Sequence, residues 1–200
     1  MKKLHMALVA ASALLIGATG VKAATTNFLV SASVPAATGV TIAASRVDAA
    51  TNAFTPVVGT NLSFDPMTFE AVNQIYLPDH FFAIDVGAVG GAGSPSVNVS
   101  YTEGLNPNSP AKGLGWHGTA TFVRVETASE VPLTAHGPQK LLKDLTGESI
   151  TPAEQAGGFL RIYAGIVTGD ASTPAGGVPF TNGDQPGAYN GTLVVTATVP

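Results

Sequence analysis

The chain has 200 residues, with nine Lys or Arg against 13 Asp or Glu and no cysteine. Charged side chains are only 11% of it, against roughly 25% in an average soluble domain, while 23 Gly and 14 Pro punctuate it densely. This composition argues against a helical bundle, which tolerates few breakers, and against intrinsic disorder, because Val, Ile, Leu and Phe are frequent and the net charge is only −4. It also argues against nucleic-acid binding, for which no basic stripe exists. An all-β protein with many turns fits.

The chain opens with Lys2 and Lys3, followed by an apolar run from Met6 to Ile16 that is too short to span a bilayer. Val21-Lys22-Ala23 then places modest or small residues at the −3 and −1 positions of a cleavage site. Residues 1–23 are therefore expected to be a secretory signal peptide cleaved after Ala23. Three lysines leave with it, which makes the mature chain more acidic, at −7. No second long apolar stretch follows, so the expected product is exported and not embedded in a membrane. Exported chains often use disulfides as staples, and this one has none to use. Its stability must come from a core, or from a neighbouring chain.

Beyond the signal, period-2 alternation recurs and helical periodicity is scarce. Thr26–Val34 places Phe28, Val30, Ala32 and Val34 on one face and Leu29, Ser31 and Ser33 on the other, and Pro35-Ala36-Ala37-Thr38-Gly39 breaks it. Short strands are predicted at Val40–Ala43, Asn61–Phe64, Phe69–Tyr76 and Phe81–Val86. Ser96–Thr102 sets Val97, Val99 and Tyr101 opposite Ser96, Asn98 and Ser100, and Thr119–Glu126 alternates in the same way. Gly158–Ile166 and Gly191–Val199 complete the set. Turn-formers fill Gly87–Pro95, Asn106–Gly115 and Gly169–Gly187. Thr151-Pro152-Ala153-Glu154 predicts one short helical turn, with an N-cap, a first-turn proline and a capping-box acid, ended by Gly157-Gly158. Lys140–Leu145 reads equally as strand or turn. This spacing of strands in one chain suggests a single β-sandwich.

The two ends of the mature chain differ. Leu193, Val195, Ala197 and Val199 alternate with Val194, Thr196 and Thr198, so both faces of the last strand are apolar or β-branched, as in a strand deep in a sandwich. The first strand has clean alternation but no preceding anchor. It reads either as an ordinary first strand or as an exchangeable one that adds to another subunit's sheet.

The stretch from Asn27 to Pro35 resembles the N-terminal extension of the major pilins of the alternate chaperone–usher pathway, the class 5 colonization-factor fimbriae of Gram-negative bacteria. Two further blocks are similar and in matching order. One is Asn61-Leu62-Ser63-Phe64-Asp65-Pro66-Met67-Thr68-Phe69-Glu70-Ala71, and the other is the ending from Gly187 to Val195. The Gly187-Ala188-Tyr189 ending with its Val/Thr strand also resembles, more distantly, the spore-coat-U-like secreted pilins. Residues 103–157 carry no such likeness. The resemblance implies an immunoglobulin-like antiparallel β-sandwich that is incomplete and is completed by a donor strand from a neighbouring subunit. The implied organisation is a donor extension at residues 24–35 and a pilin domain at 36–200. Phe28, Val30, Ala32 and Val34 would be inserted, and Leu193, Val195, Ala197 and Val199 would border the acceptor groove and contact a chaperone. The implied partners are copies of the chain or related pilins, a periplasmic chaperone, an outer-membrane usher, and a host glycan or surface receptor. The implied location is a fimbria on the cell surface.

No enzyme, cofactor or metal site is expected. Asp79-His80 is the one adjacent acid–imidazole pair, but no Ser stands in a nucleophile elbow and no His-x-x-x-His is present. It reads as a loop pair at a strand start. Trp116, beside His117, reads as core or interface packing. As an alternative it is a sugar-stacking platform, which would make the chain a self-contained secreted carbohydrate-binding sandwich. His136 is expected to be exposed, Glu126 and Glu130 lack a cleft, and Gly90-Gly91-Ala92-Gly93 reads as a hairpin loop, since no helix opens there. The sequon-like triplets at Asn61, Asn98 and Asn190 are of a length that arises by chance.

Overall fold

A computed structural model describes residues 22–28, 39–89, 92–107, 112–127 and 134–199. In chain order the strands are β1 (Lys22–Phe28), β2 (Val40–Asp48), β3 (Phe54–Pro56), β4 (Met67–Glu70), β5 (Ile75–Pro78), β6 (His80–Ala88) and β7 (Ser96–Glu103). They continue as β8 (Gly118–Val125), β9 (Thr134–Ala135), β10 (Lys140–Leu141), β11 (Thr146–Ile150), β12 (Phe159–Ile166), β13 (Phe180–Thr181) and β14 (Gly191–Val199). One helical turn, α1 (Leu114–His117), and two 3-10 turns, at Leu142–Asp144 and Pro152–Gln155, interrupt them.

The protein is mostly β, in antiparallel sheets. A four-stranded sheet runs β1-β14-β7-β11, and a seven-stranded sheet runs β10-β8-β12-β6-β2-β3 with β9 paired to β8. The two share one apolar core. Val97, Val99, Leu193, Val195 and Ala197 come from the first, and Phe82, Ile84, Val86, Phe122, Leu160 and Ile162 from the second, all nearly or fully excluded from solvent. Alternation explains the split, because successive strand residues face opposite ways and one row per strand enters the core. A small third sheet, β13-β5-β4, brings Ile75 and Phe180 to the same end of the molecule.

Several elements differ from the sequence expectation, each for a local reason. Phe69–Tyr76 is two strands, because the Glu70 carboxylate accepts the N–H groups of Val72 and Asn73 (3.0 and 2.9 Å) and Gln74 takes φ 57° in a tight turn. Asn61–Phe64 is loop, although Leu62 still reaches the core. The 140–145 segment is a two-residue strand running into a 3-10 turn. The turn at Thr151 forms as expected, with the Glu154 carboxylate accepting from the Thr151 N–H (2.7 Å) and hydroxyl (2.6 Å). Of the first strand predicted at Thr26–Val34, residues 26–28 lie in β1, which begins at Lys22, and residues 29–34 fall outside the described residues.

Candidate functional site

The site begins with β14. Its residues alternate between buried and half-buried along the whole strand, with Leu193, Val195, Ala197 and Val199 at 6, 0, 0 and 4% exposure. On one side β7 pairs with it from Gly191↔Glu103 to Thr198↔Ser96, so Val97 and Val99 continue the same buried row. On the other side β1 pairs with it antiparallel, from Lys22↔Val199 to Phe28↔Leu193. β1 is the edge of this sheet, and without it β14 would present seven unpaired positions.

Directly opposite residues of an antiparallel pair share a face. The register therefore sets Phe28, Thr26, Ala24 and Lys22 opposite the core row Leu193, Val195, Ala197 and Val199. Of the four residues singled out for insertion, Phe28 lies in β1, while Val30, Ala32 and Val34 fall outside the described residues. The four acceptor residues sit together on one strand in one buried row.

The residues weighed for chemistry are placed as follows. His80 opens β6 and is buried, with Nδ1 2.6 Å from Asp79 Oδ1 and Nε2 2.9 Å from the Ser63 carbonyl. Arg46 also reaches Asp79 Oδ1, at 2.6 Å, and the bonds from His80 and then Arg46 hold the Asp79 carboxyl below the usual range. This set ties β2 to β6 and engages both ring nitrogens of His80. Trp116 is half-buried in α1 with the Lys143 ammonium 4.5 Å from its ring centre, so a cation already occupies that face. His117 is fully buried, stacked on Phe180 at 3.8 Å, with Nδ1 2.7 Å from the Val178 carbonyl. Its Nδ1–H donates there, and burial pushes the imidazole below its usual range. His136, expected to be exposed, instead has a side chain only 9% exposed, 3.9 Å from Glu154, because β9 folds back on β8 beside the Thr151–Glu154 turn. Glu126 pairs with Arg124 at 3.1 Å. Glu130, Gly90 and Gly91 lie outside the described residues.

Sequence reasoning missed one constellation. Arg161, 0% exposed on β12, donates through Nε and Nη2 to the two oxygens of Asp85 on β6, at 2.6 and 2.8 Å. Phe54 lies beneath the guanidinium at 4.7 Å, with Phe159 and Tyr163 at 5.7 and 5.8 Å. Burial pulls this group down, but the Asp85 and Tyr163 interactions outweigh it and hold the guanidinium above its usual range. The available signal was a single charge in each of two apolar strands. Among the described residues no group of acids and histidines is arranged to hold a metal, and no helix is long and apolar enough to cross a membrane.

Compared with protein-family models, with curated proteins and with solved structures, the chain matches none.

Proposed function

We propose that the chain is an exported structural subunit of a bacterial surface fimbria, polymerised by exchange of its first strand between neighbouring subunits. The observation that carries this reading is β1, an edge strand near the N-terminus that lies along the full core row of β14 with a poorly matched set of residues. In the observed register that set is Lys22, Ala24, Thr26 and Phe28, with one large apolar residue among four. Sliding the strand by six residues would set Phe28, Val30, Ala32 and Val34 against Val199, Ala197, Val195 and Leu193. Taken as a set, the four facing residues would then exchange Lys22 and Thr26 for the two valines Val30 and Val34, a gain of roughly 3–6 kcal/mol gross at ~1.5–3 kcal/mol per buried side chain. Ordering the arm offsets part of it.

In this reading the fold is an immunoglobulin-like sandwich that lacks one edge strand of its own. Removal of residues 1–23 takes Lys22 and Ala23 from the self-paired strand and leaves the better set intact. A subunit with an open β14 edge would expose an apolar cleft, so a periplasmic chaperone covers it until an outer-membrane usher places the next subunit's strand. The chain performs no catalysis; its product is the filament, which carries adhesion to a surface.

Deleting residues 24–35 tests the reading directly. The truncated chain should be unstable or aggregated alone and should recover a sharp thermal transition on addition of a synthetic 24–35 peptide. Equal stability of the truncated chain, with no uptake of the peptide, overturns the proposal. Val30→Asp should remove the ladder of SDS-resistant oligomers while leaving the chaperone-bound subunit folded.

A further inference from the structure

Between the 182–190 loop and the small sheet β13-β5-β4 opens a cavity of about 580 Å³. That is within the roughly 300–1,000 Å³ of small-molecule sites. Its walls combine aromatic rings, among them Phe64, Tyr76, Phe180 and Tyr189, with planar polar groups such as Asn182 and Asp184. Two carboxylates, Asp65 and Asp184, belong to the lining, and no Lys, Arg or His does among the described residues.

The walls are held from behind. Phe180 packs edge-on to Tyr189 at 4.9 Å and is stacked on its other neighbour, the buried His117, at 3.8 Å. The Tyr189 hydroxyl donates to the Gln185 carbonyl at 2.8 Å. The Tyr76 hydroxyl donates to Asn182 Oδ1 at 2.8 Å, so the Asn182 amide offers its NH2 as a donor. Asp184 Oδ2 accepts the Thr181 N–H (2.7 Å) and hydroxyl (3.0 Å), which fixes the carboxylate. Behind it His117 Nε2, fully buried and with no hydrogen-bond partner, stands 4.0 Å from Asp184 Oδ1. Because Nδ1 donates to Val178, Nε2 is an acceptor facing an acceptor. His117 stands behind the wall, so the acceptor that the cavity itself offers here is the Asp184 carboxylate, which calls for a ligand that brings donors, and the absence of cations in the wall disfavours one that brings negative charge.

We propose that this cavity binds an uncharged saccharide, about one or two pyranose rings in size, with a C–H face against the aromatic wall and hydroxyls shared between Asn182 and Asp184. A polyol both donates and accepts, which matches an amide beside a carboxylate, and a sugar ring's apolar face matches Tyr or Phe. The inference goes beyond strand exchange and is separate from Trp116, which does not line the cavity.

The test is binding of the purified protein to immobilised oligosaccharides, with neutral structures such as lactose, chitobiose and mannobiose compared with sialyllactose. Neutral sugars should bind and sialylation should abolish the signal. Asn182→Ala should weaken binding about three- to ten-fold, the effect of one lost hydrogen bond, with an unchanged melting temperature. Tyr76→Phe, which keeps the ring but frees the amide, should weaken it less, and Trp116→Ala should leave it unaltered. No binding to any neutral sugar, preference for the sialylated one, or indifference to both Asn182→Ala and Tyr76→Phe overturns the inference. Polymerisation is scored separately on the same preparations by SDS-resistant ladders, so failure of sugar binding and failure of strand exchange are read independently.

Discussion

Arg161 and Asp85 meet because register brings position 161 of β12 opposite position 85 of β6. A buried guanidinium with two bonds to one carboxylate is costly to orphan, so Asp85→Ala should lose about 3–5 kcal/mol. The double change Arg161→Met with Asp85→Leu should recover most of that loss, as judged by urea unfolding of the four members of the cycle. If the single and double variants are equally unstable, the pair is not the reason for the loss. His117 makes a different residue-scale prediction. Its imidazole is held neutral in the folded chain by burial, whereas in the unfolded chain it titrates near pH 6.5. A depressed folded pKa means that the unfolded state takes up the proton first. Stability is therefore full above about pH 6.5 and falls as the pH drops below it. His117→Asn keeps an N–H donor for Val178 but cannot titrate, so its melting temperature, though lower at neutral pH, should change less between pH 7 and pH 5. The composition of each strand shows Arg161 and Asp85 as lone charges. That they touch follows only from pairing across more than seventy residues of chain, which single-strand patterns do not carry.

Among the elements, those with long unbroken alternation were legible: β7, β8, β12 and β14 lie within a residue or two of their expected ranges. β3, β10 and β13 are two or three residues long, too short to show a period, and exist because a neighbour pairs with them. β11 (Thr146–Ile150) is mostly exposed and pairs with β7 around a register shift, so it carries no buried alternation that would have marked it as a strand. α1 lies inside what reads as a turn-rich loop, because its glycines allow the Glu103 carboxylate to approach closely and accept the Gly115 N–H at 2.8 Å. Glycine at the start of β12 is a sharper case. A Cβ at Gly158 would strike the Val125 backbone carbonyl, which is fixed within the sheet. Gly158→Ala should cost about 1–3 kcal/mol by overpacking. Gly183→Ala, where the nearest atom is the Thr181 hydroxyl at an ordinary 3.5 Å, should stay within about 0.5 kcal/mol of the parent. Paired urea titrations distinguish the two, and an equal effect would place the constraint elsewhere than at the β8–β12 contact.

At the scale of the molecule, the proposed strand exchange turns on which segment of the first arm would lie against β14 between subunits. The alternation that made residues 28–34 legible as a strand also made them the best complement to β14, yet the isolated chain pairs residues 22–28 there. A single chain chooses among registers that its own connection to β2 can reach, whereas in the proposed filament a neighbouring chain's arm has no such tether, so under strand exchange the pattern of apolar residues is expected to set the register between subunits. The absence of cysteine makes this directly measurable, since any disulfide must come from the introduced pair. Phe28 and Leu193 are opposite in the monomer, so Phe28→Cys with Leu193→Cys should cross-link within one chain. Val34→Cys with Leu193→Cys should cross-link only between chains, and only in assembled material, because directly opposite side chains approach to about 4.5–5.5 Å, near the reach of a disulfide. Non-reducing gels of purified filaments should then show a covalent ladder for the second pair and monomers for the first. Monomers from the second pair, with filaments still present, would mean that the filament is built on some other contact and that β1 is an ordinary edge strand of its own sheet.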